Sequence, residues 1–466
     1  MHKKLKEKSK QMKTLPVAKN DTLTVEIIDL SHEGSGVAKV DGYPLFIENT
    51  LPGEEAEVLV LKAGKKFGFA KVVKLLKESP DRVSQINETL IRTGIAPLHH
   101  MTYEAQLAFK EQQVNNVFQR IAKMSDVKIL PIKGMENPLE YRNKAQIPVR
   151  RIDNKLATGF FRKNSHDLVP LEDFYIQDKK IDEAIVIVRD VLEKYGVKAY
   201  NEEEHTGNLR HIIIRRGHYS HEMMVVLVTR TAKLFNYEKM VQEIHLQLPE
   251  VVSIVQSINE EKTNVILGKS AKTLFGQNYI SDKLLDHKYR ISAQSFYQVN
   301  TVQAEVLYQT AIDFANFKKS DTVIDAYCGI GTIALSLADQ VKQVYGMEIS
   351  REAVSDAKIN AQVNEIHNVK FEVGKAEEVM PKWLEKGIKP NVLVVDPPRK
   401  GLAESFIEAA VEMAPKKIIY VSCNPASLAR DCQLFAEKGY VVKQVQPVDM
   451  FPQTPHVEAV AELIKK

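Results

Sequence analysis

The chain is poor in cysteine: its 466 residues hold only Cys328, Cys423 and Cys432. Three cysteines support neither a disulfide framework nor a four-cysteine zinc or iron-sulfur site, and they fit a reducing, cytoplasmic compartment. No run approaches the ~18 consecutive apolar residues that a membrane span needs, and the opening MHKKLKEKSKQMK lacks the apolar core of a secretory signal. A soluble intracellular protein with no membrane partner is therefore expected. A large net charge is lacking as well, at a formal +4. The excess is local, because residues 1 to 20 hold seven lysines and one acid, while the remainder holds 57 basic and 59 acidic side chains. Such an aromatic-free basic arm cannot bury apolar surface and is expected to be disordered. It reads equally as a solubilising tail and as a segment that reaches phosphates.

The length implies two to four domains. Residues 21–78 read as short alternating strands broken by Gly34, Gly36, Gly42, Pro52, Gly53 and Gly64, the pattern of a small β-barrel. Within it Lys62, Lys65, Lys66, Phe67, Phe69 and Lys71 interleave basic and aromatic residues as a nucleic-acid face does, although a hairpin with a core phenylalanine has the same pattern. Residues 102–124 form a helix with Val114, Val117, Phe118 and Ile121 on one side, a packing stripe that could lie on a catalytic domain. Residues 90–275 mix strands and helices as an α+β central domain. Its Arg142, Lys144, Arg150, Arg151, Arg210, Arg215 and Arg216 form a candidate polyanion-binding group, against the ordinary alternative of surface ion pairs.

From residue 280 to 466 apolar strands alternate with helices, the pattern of an open α/β, Rossmann-like sheet that binds ligands at the carboxyl ends of its strands. Each chemical motif falls at such an end. Asp325-Ala-Tyr-Cys-Gly329-Ile-Gly331-Thr332 turns from strand to helix, where glycines admit a ligand to the backbone and to free helix N-H groups. The third glycine of a dinucleotide loop is replaced by Ala334, which leaves NAD open. Glu348, after the next strand, suits both hydroxyls of a ribose, whether of NAD or of S-adenosylmethionine. In Asp396-Pro397-Pro398-Arg399-Lys400-Gly401 two prolines hold Asp396 extended after an apolar strand. Cys423 ends a strand, and Asn424 and Pro425 start a helix whose amino terminus is expected to lower the thiol pKa. Cys328 and Cys432 read as packing residues. Glu458 follows a proline-rich loop and becomes a candidate base once paired with a nucleophilic cysteine.

In this order the motifs resemble those of the S-adenosylmethionine-dependent RNA 5-methyluridine methyltransferases, and Tyr141-Arg142-Asn143-Lys144 and Ser295-Phe296-Tyr297-Gln298-Val299-Asn300 match that family too. The resemblance spans nearly the whole chain and is similar to the 23S rRNA (uracil-5-)-methyltransferases whose barrel is a TRAM domain. It implies a cofactor site at Gln298, Tyr327, Gly329, Gly331, Glu348 and Asp396, a nucleophile at Cys423 and a general base at Glu458. The chemistry asks for the same residues. Uracil C5 becomes nucleophilic only after a thiolate adds to C6, and the C5 proton must then leave. Residues 92–100 lack the cysteines with which some relatives hold an iron-sulfur cluster, so no cluster is expected. His99 and His100, without partners at ligand spacing, read as surface or RNA-contacting residues. The expected partner is RNA, 23S rRNA first and the tRNA T-loop as the alternative, with the target uridine flipped out, no DNA, and a monomeric enzyme. A dehydrogenase leaves Cys423 without a role, and a non-catalytic RNA-binding protein leaves the cofactor loop without one.

Overall fold

The computed structural model describes residues 15–163 and 165–466. They form two compact units, one of residues up to Asn87 with Pro97–Ala105, the other of Glu88–Ala96 with Gln106–Lys466.

In the first unit, six short strands between Thr22 and Lys77 make one sheet. Alternation drives it: along Glu55–Ala63, Ala56, Val58 and Val60 point inward and are fully buried. Residues 1–14 of the expected arm lie outside the described residues. The rest of that arm departs from the expectation, since Val17 is buried in the core of this sheet and the Asn20 N-H donates to Val60 O at 2.9 Å. The aromatic pattern resolves away from a core phenylalanine: Phe67 and Phe69 are both 44% exposed and stand edge to face with ring centroids 5.6 Å apart. His99 and His100 are a correction, because both are buried, and desolvation pushes His100 down to about 4.

The second unit holds two large sheets. Seven strands run in the order Leu168–Pro170, Lys155–Phe161, Lys144–Ile152, Leu209–Arg216, Met223–Thr229, Val251–Ile258 and Ser270–Gly276. Helices Lys179–Lys194 and Tyr237–Gln247 cover one face through Ile185, Val188, Met240 and Ile244. The other face, with Ile213, Met224 and Val226, shares a core with the hairpin Tyr279–Ser292 and the helix Thr301–Ala315. The second sheet has eight strands, in the order Val369–Val373, Gln343–Glu348, Thr322–Ala326, Val392–Val395, Lys417–Ser422, Glu458–Lys465, Tyr440–Val448 and Lys128–Ile129. The first five are parallel, and Glu458–Lys465 runs antiparallel to its neighbours. All of Val392–Val395 is buried, as expected of a parallel strand covered on both faces. Chain order reverses between Thr322–Ala326 and Val392–Val395, and that switch point is where such sheets open a crevice.

The expected central span, 90–275, is interrupted. Val114 and Phe118 of the helix Tyr103–Arg120 lie in one core with Met380, Trp383 and Phe406, and Lys128–Ile129 extends the eight-stranded sheet.

Candidate active site

The strand Thr322–Ala326 delivers a turn that only special backbone geometry permits. Tyr327 sits at φ 70°, Gly329 at 54° and Gly331 at 86°, and the helix Thr332–Ala338 follows. A tyrosine in the left-handed region is strained, and here the N-H groups of Tyr327 and Cys328 both donate to Met347 O, at 3.1 and 3.0 Å. A Cβ built on Gly329 would meet no atom within 4 Å, so the backbone borders open space. Glu348 leaves the neighbouring strand oriented by two backbone donors: Gly329 N-H reaches Oε2 at 3.3 Å and Ser350 N-H reaches Oε1 at 2.9 Å.

On the other side of the switch point, Asp396 leaves the Val392–Val395 strand and Cys423 the Lys417–Ser422 strand. Asn424 caps the helix Pro425–Glu437, its side chain accepting from Ala426 N-H at 3.0 Å, and Pro425 begins that helix. Glu458 opens the antiparallel strand opposite Val448.

One cavity of about 860 Å³ is lined by Gln298, Tyr327, Gly329, Glu348, Asp396, Cys423 and Glu458. Gly331 is not on its wall but caps the helix beside it. Arg399 and Lys400, which follow the two prolines of the Asp396 motif, also line it, as do Phe296, Ile349 and Lys375, whose role was not read. A signal for Lys375 existed, since it follows the Val369–Val373 strand at the same carboxyl edge as the other motifs.

Burial governs the electrostatics. It pushes Asp396 up to about 7, and it pushes Glu458 up to about 8 with help from the Asp396 charge. The Cys423 thiol goes the same way, to about 11, through burial and then the Glu458 and Asp396 charges, with Arg399 opposing. This corrects the lowered thiol pKa expected at a helix start. The first N-H groups are already engaged by Asn424 and by Ser422 Oγ, which accepts from Asn424 N-H at 3.1 Å. Cys328 and Cys432 are buried and free.

The basic group of the central domain is largely structural. Arg210 donates to the carbonyls of Asn259 and Glu261 at 2.8 and 2.7 Å, and Arg215 to Ser295 O at 2.6 Å. Arg216 pairs with Glu250 and Asp178, and Arg150 with Glu202. Arg151 is exposed, while Arg142 and Lys144 are half-buried, and desolvation pushes Lys144 down to about 7.

An α/β sheet carrying this cavity, preceded by a separate small β-unit, is the architecture of a methyltransferase with an added amino-terminal domain. The chain belongs to the tRNA (uracil-5-)-methyltransferase family, whose profile matches residues 102–466, and residues 16–73 match the TRAM domain. It is 58% identical over 454 residues to an uncharacterized RNA methyltransferase of Enterococcus faecalis, covering 97% of this chain and 99% of the relative. A Streptococcus mutans protein of the same description is 54% identical over 447 residues, covering 96% and 99%. Among solved structures, the Pyrococcus abyssi tRNA (uracil-54, C5)-methyltransferase in complex with S-adenosyl-L-homocysteine superimposes with a TM-score of 0.75 at 26% identity, covering 95% of this chain and 99% of that one.

Proposed function

We propose that the chain transfers a methyl group from S-adenosylmethionine to C5 of a uridine in 23S rRNA through a covalent adduct between Cys423 and C6. The observation that carries this reading is the convergence of Cys423, Glu458, Asp396 and Gln298, drawn from four distant segments, on one cavity. The residues fit the cofactor: Glu348 is fixed by two backbone donors and keeps acceptor capacity for ribose hydroxyls, and Gly329 leaves space at the backbone. When bound, the cofactor would supply an electrophilic methyl group on a sulfonium and would leave as the neutral thioether, which keeps the electron pair of the broken carbon–sulfur bond.

Cys423 loses its thiol proton to solvent, the thiolate adds to C6, and the C5=C6 electron pair moves toward C4=O, leaving C5 nucleophilic. C5 takes the methyl group. Glu458 then removes the C5 proton, the C6–S bond breaks, and its electrons leave with the sulfur as C5=C6 re-forms. Arg399 favours the anionic forms of both Cys423 and Glu458, so it supports each proton loss. Reaching C6 requires the uridine to leave its stack.

The TRAM-bearing architecture favours rRNA, because bacterial tRNA-specific relatives generally lack that domain. The tRNA T-loop uridine is the second reading, favoured by likeness along 95% of the chain to the solved tRNA (uracil-54, C5)-methyltransferase. Incubation with labelled S-adenosylmethionine and separate rRNA and tRNA transcripts, followed by mapping of 5-methyluridine, decides between them. Label at C5 of rRNA uridine supports the reading, label only in tRNA replaces the substrate, and label in neither removes the activity. Cys423→Ala is expected to abolish transfer while retaining cofactor binding. With 5-fluorouridine at the mapped site, a stable adduct through Cys423 is expected, since no C5 proton can be removed.

A further inference from the structure

The segment Tyr141-Arg142-Asn143-Lys144 opens a strand of the seven-stranded sheet, yet two of its side chains reach into loops of the eight-stranded domain. Asn143 Nδ2 donates to Gln298 O at 2.9 Å and to Thr301 Oγ1 at 3.0 Å, and its backbone N-H donates to Val299 O at 2.8 Å. Its own carbonyl accepts from Arg216 N-H at 2.9 Å, so the segment is anchored to the neighbouring strand. Gln298, whose backbone is thus held, is buried except where it lines the cavity.

Two residues earlier, the buried Tyr141 O-H donates to Pro452 O at 3.0 Å. Pro452 belongs to the loop that joins Val448 to Glu458, which are themselves cross-strand partners. That loop is held from several directions. Lys110, fully buried, places its ammonium 2.5 Å from Asp449 Oδ1 and 3.0 Å from Phe451 O. Asn300 Nδ2 donates to Met450 O at 3.0 Å, and Gln303 Nε2 to Asp449 O at 2.9 Å. The loop carrying Gln298 and the loop leading to Glu458 are therefore bonded to each other, and Tyr141 and Asn143 touch one loop each.

We propose that Tyr141 and Asn143 are positioning residues for the transferase reaction, a two-point strap by which the central domain sets both walls of the active site. Asn143 fixes the cofactor wall through Gln298, and Tyr141 fixes the base wall through the loop that delivers Glu458. The inference rests on the roles proposed above for Gln298 and Glu458. A displaced catalytic group loses rate without losing its identity, so the two contacts have separable kinetic signatures.

The test uses the full chain as Tyr141→Phe, Asn143→Asp and, for reference, Glu458→Gln. Tyr141→Phe removes one hydroxyl and keeps the ring, while Asn143→Asp keeps the size but sets an acceptor against Gln298 O. With Tyr141→Phe, kcat is expected to fall about tenfold with KM for S-adenosylmethionine unchanged, and methylated protein-RNA adduct is expected to accumulate on ordinary uridine RNA. With Asn143→Asp, KM for S-adenosylmethionine is expected to rise about tenfold without adduct accumulation. A merely structural role would lower melting temperature and depress both parameters together in both variants, and that result overturns the proposal. Adduct accumulation in Glu458→Gln but not in Tyr141→Phe overturns the Tyr141 role alone. Failure of Glu458→Gln itself to accumulate adduct overturns the base assignment and the Tyr141 role with it.

Discussion

A carboxyl group taken out of water keeps its proton until a cation arrives, and this decides how Asp396 and Glu458 behave. With Asp396 pushed up to about 7 and Glu458 to about 8, both hold protons for part of the time at neutral pH. A bound sulfonium favours the ionised forms, so cofactor binding is expected to release protons and to tighten as pH rises from about 6 to about 8. Calorimetry in two buffers of different ionisation enthalpy reads the release directly, and equal apparent enthalpies would exclude it. S-Adenosylhomocysteine, without the sulfonium charge, is expected to release fewer protons. The same shifts act on folding. Their folded values lie above the ordinary carboxylate values near ~4, so the folded state binds more protons than the unfolded chain, and stability falls as pH rises through about 8. Asp396→Asn is expected to flatten that slope in thermal melts. Asp396 was legible in sequence because it follows an apolar strand, whereas Glu458, which opens a strand after a proline-rich loop, stood out only once paired with Cys423. The direction of the Cys423 shift was not legible, because it comes first from burial in the folded cavity and then from the Glu458 charge, which sheet pairing rather than neighbourhood in the chain brings beside it.

The turn after Asp396 is held by the element that follows Cys423. Asn424 Nδ2 and Ser427 Oγ donate to Arg399 O at 3.0 and 3.2 Å, Arg430 Nη2 donates to Lys400 O at 3.0 Å, and Leu402 N-H reaches Asp431 Oδ2 at 2.8 Å. Gly401 makes this grip possible: its φ is +76°, and a Cβ there would stand 2.5 Å from Asp431 Oδ2. Gly401→Ala is therefore expected to cost about 1–3 kcal/mol in denaturant unfolding and to lower turnover, and an unchanged midpoint would contradict it. The loop before Glu458 has a comparable anchor in the Lys110–Asp449 pair. Lys110→Met strands a buried carboxylate and is expected to destabilise by about 3–5 kcal/mol, whereas Lys110→Met with Asp449→Leu costs less than the sum of the single changes. Neither grip could be read from the sequence, since each joins residues far apart in the chain. The long apolar strands and their glycine and proline punctuation were legible. The two-residue strand Lys128–Ile129 was not, because its pairing with Gln444 and Val445 makes it a strand and no local periodicity does.

At the scale of the whole molecule, a body close to neutral has to hold a polyanion by local patches, and two kinds of patch can be told apart by salt. Lysine contacts to phosphates release counterions, so affinity falls with salt at a slope of about 0.7 per contact on a single strand. Base stacking on aromatic rings has no such dependence and contributes about 1–3 kcal/mol per base. The amino-terminal sheet offers both, with Phe67 and Phe69 exposed next to the exposed Lys65 and Lys66. Phe67→Ala with Phe69→Ala is expected to weaken RNA binding about tenfold or more at every salt concentration, leaving the slope unchanged. Lys65→Ala with Lys66→Ala is expected to reduce the slope by up to about 1.4, with little loss at high salt. Removal of residues 2–14, which carry most of the lysine excess but stop short of the buried Val17, is expected to act like the lysine pair. Should the phenylalanine variant change only the slope, or the lysine variants only the intercept, the two patches would not be acting as a stacking face and a phosphate face, and the RNA would have to be held elsewhere on the protein.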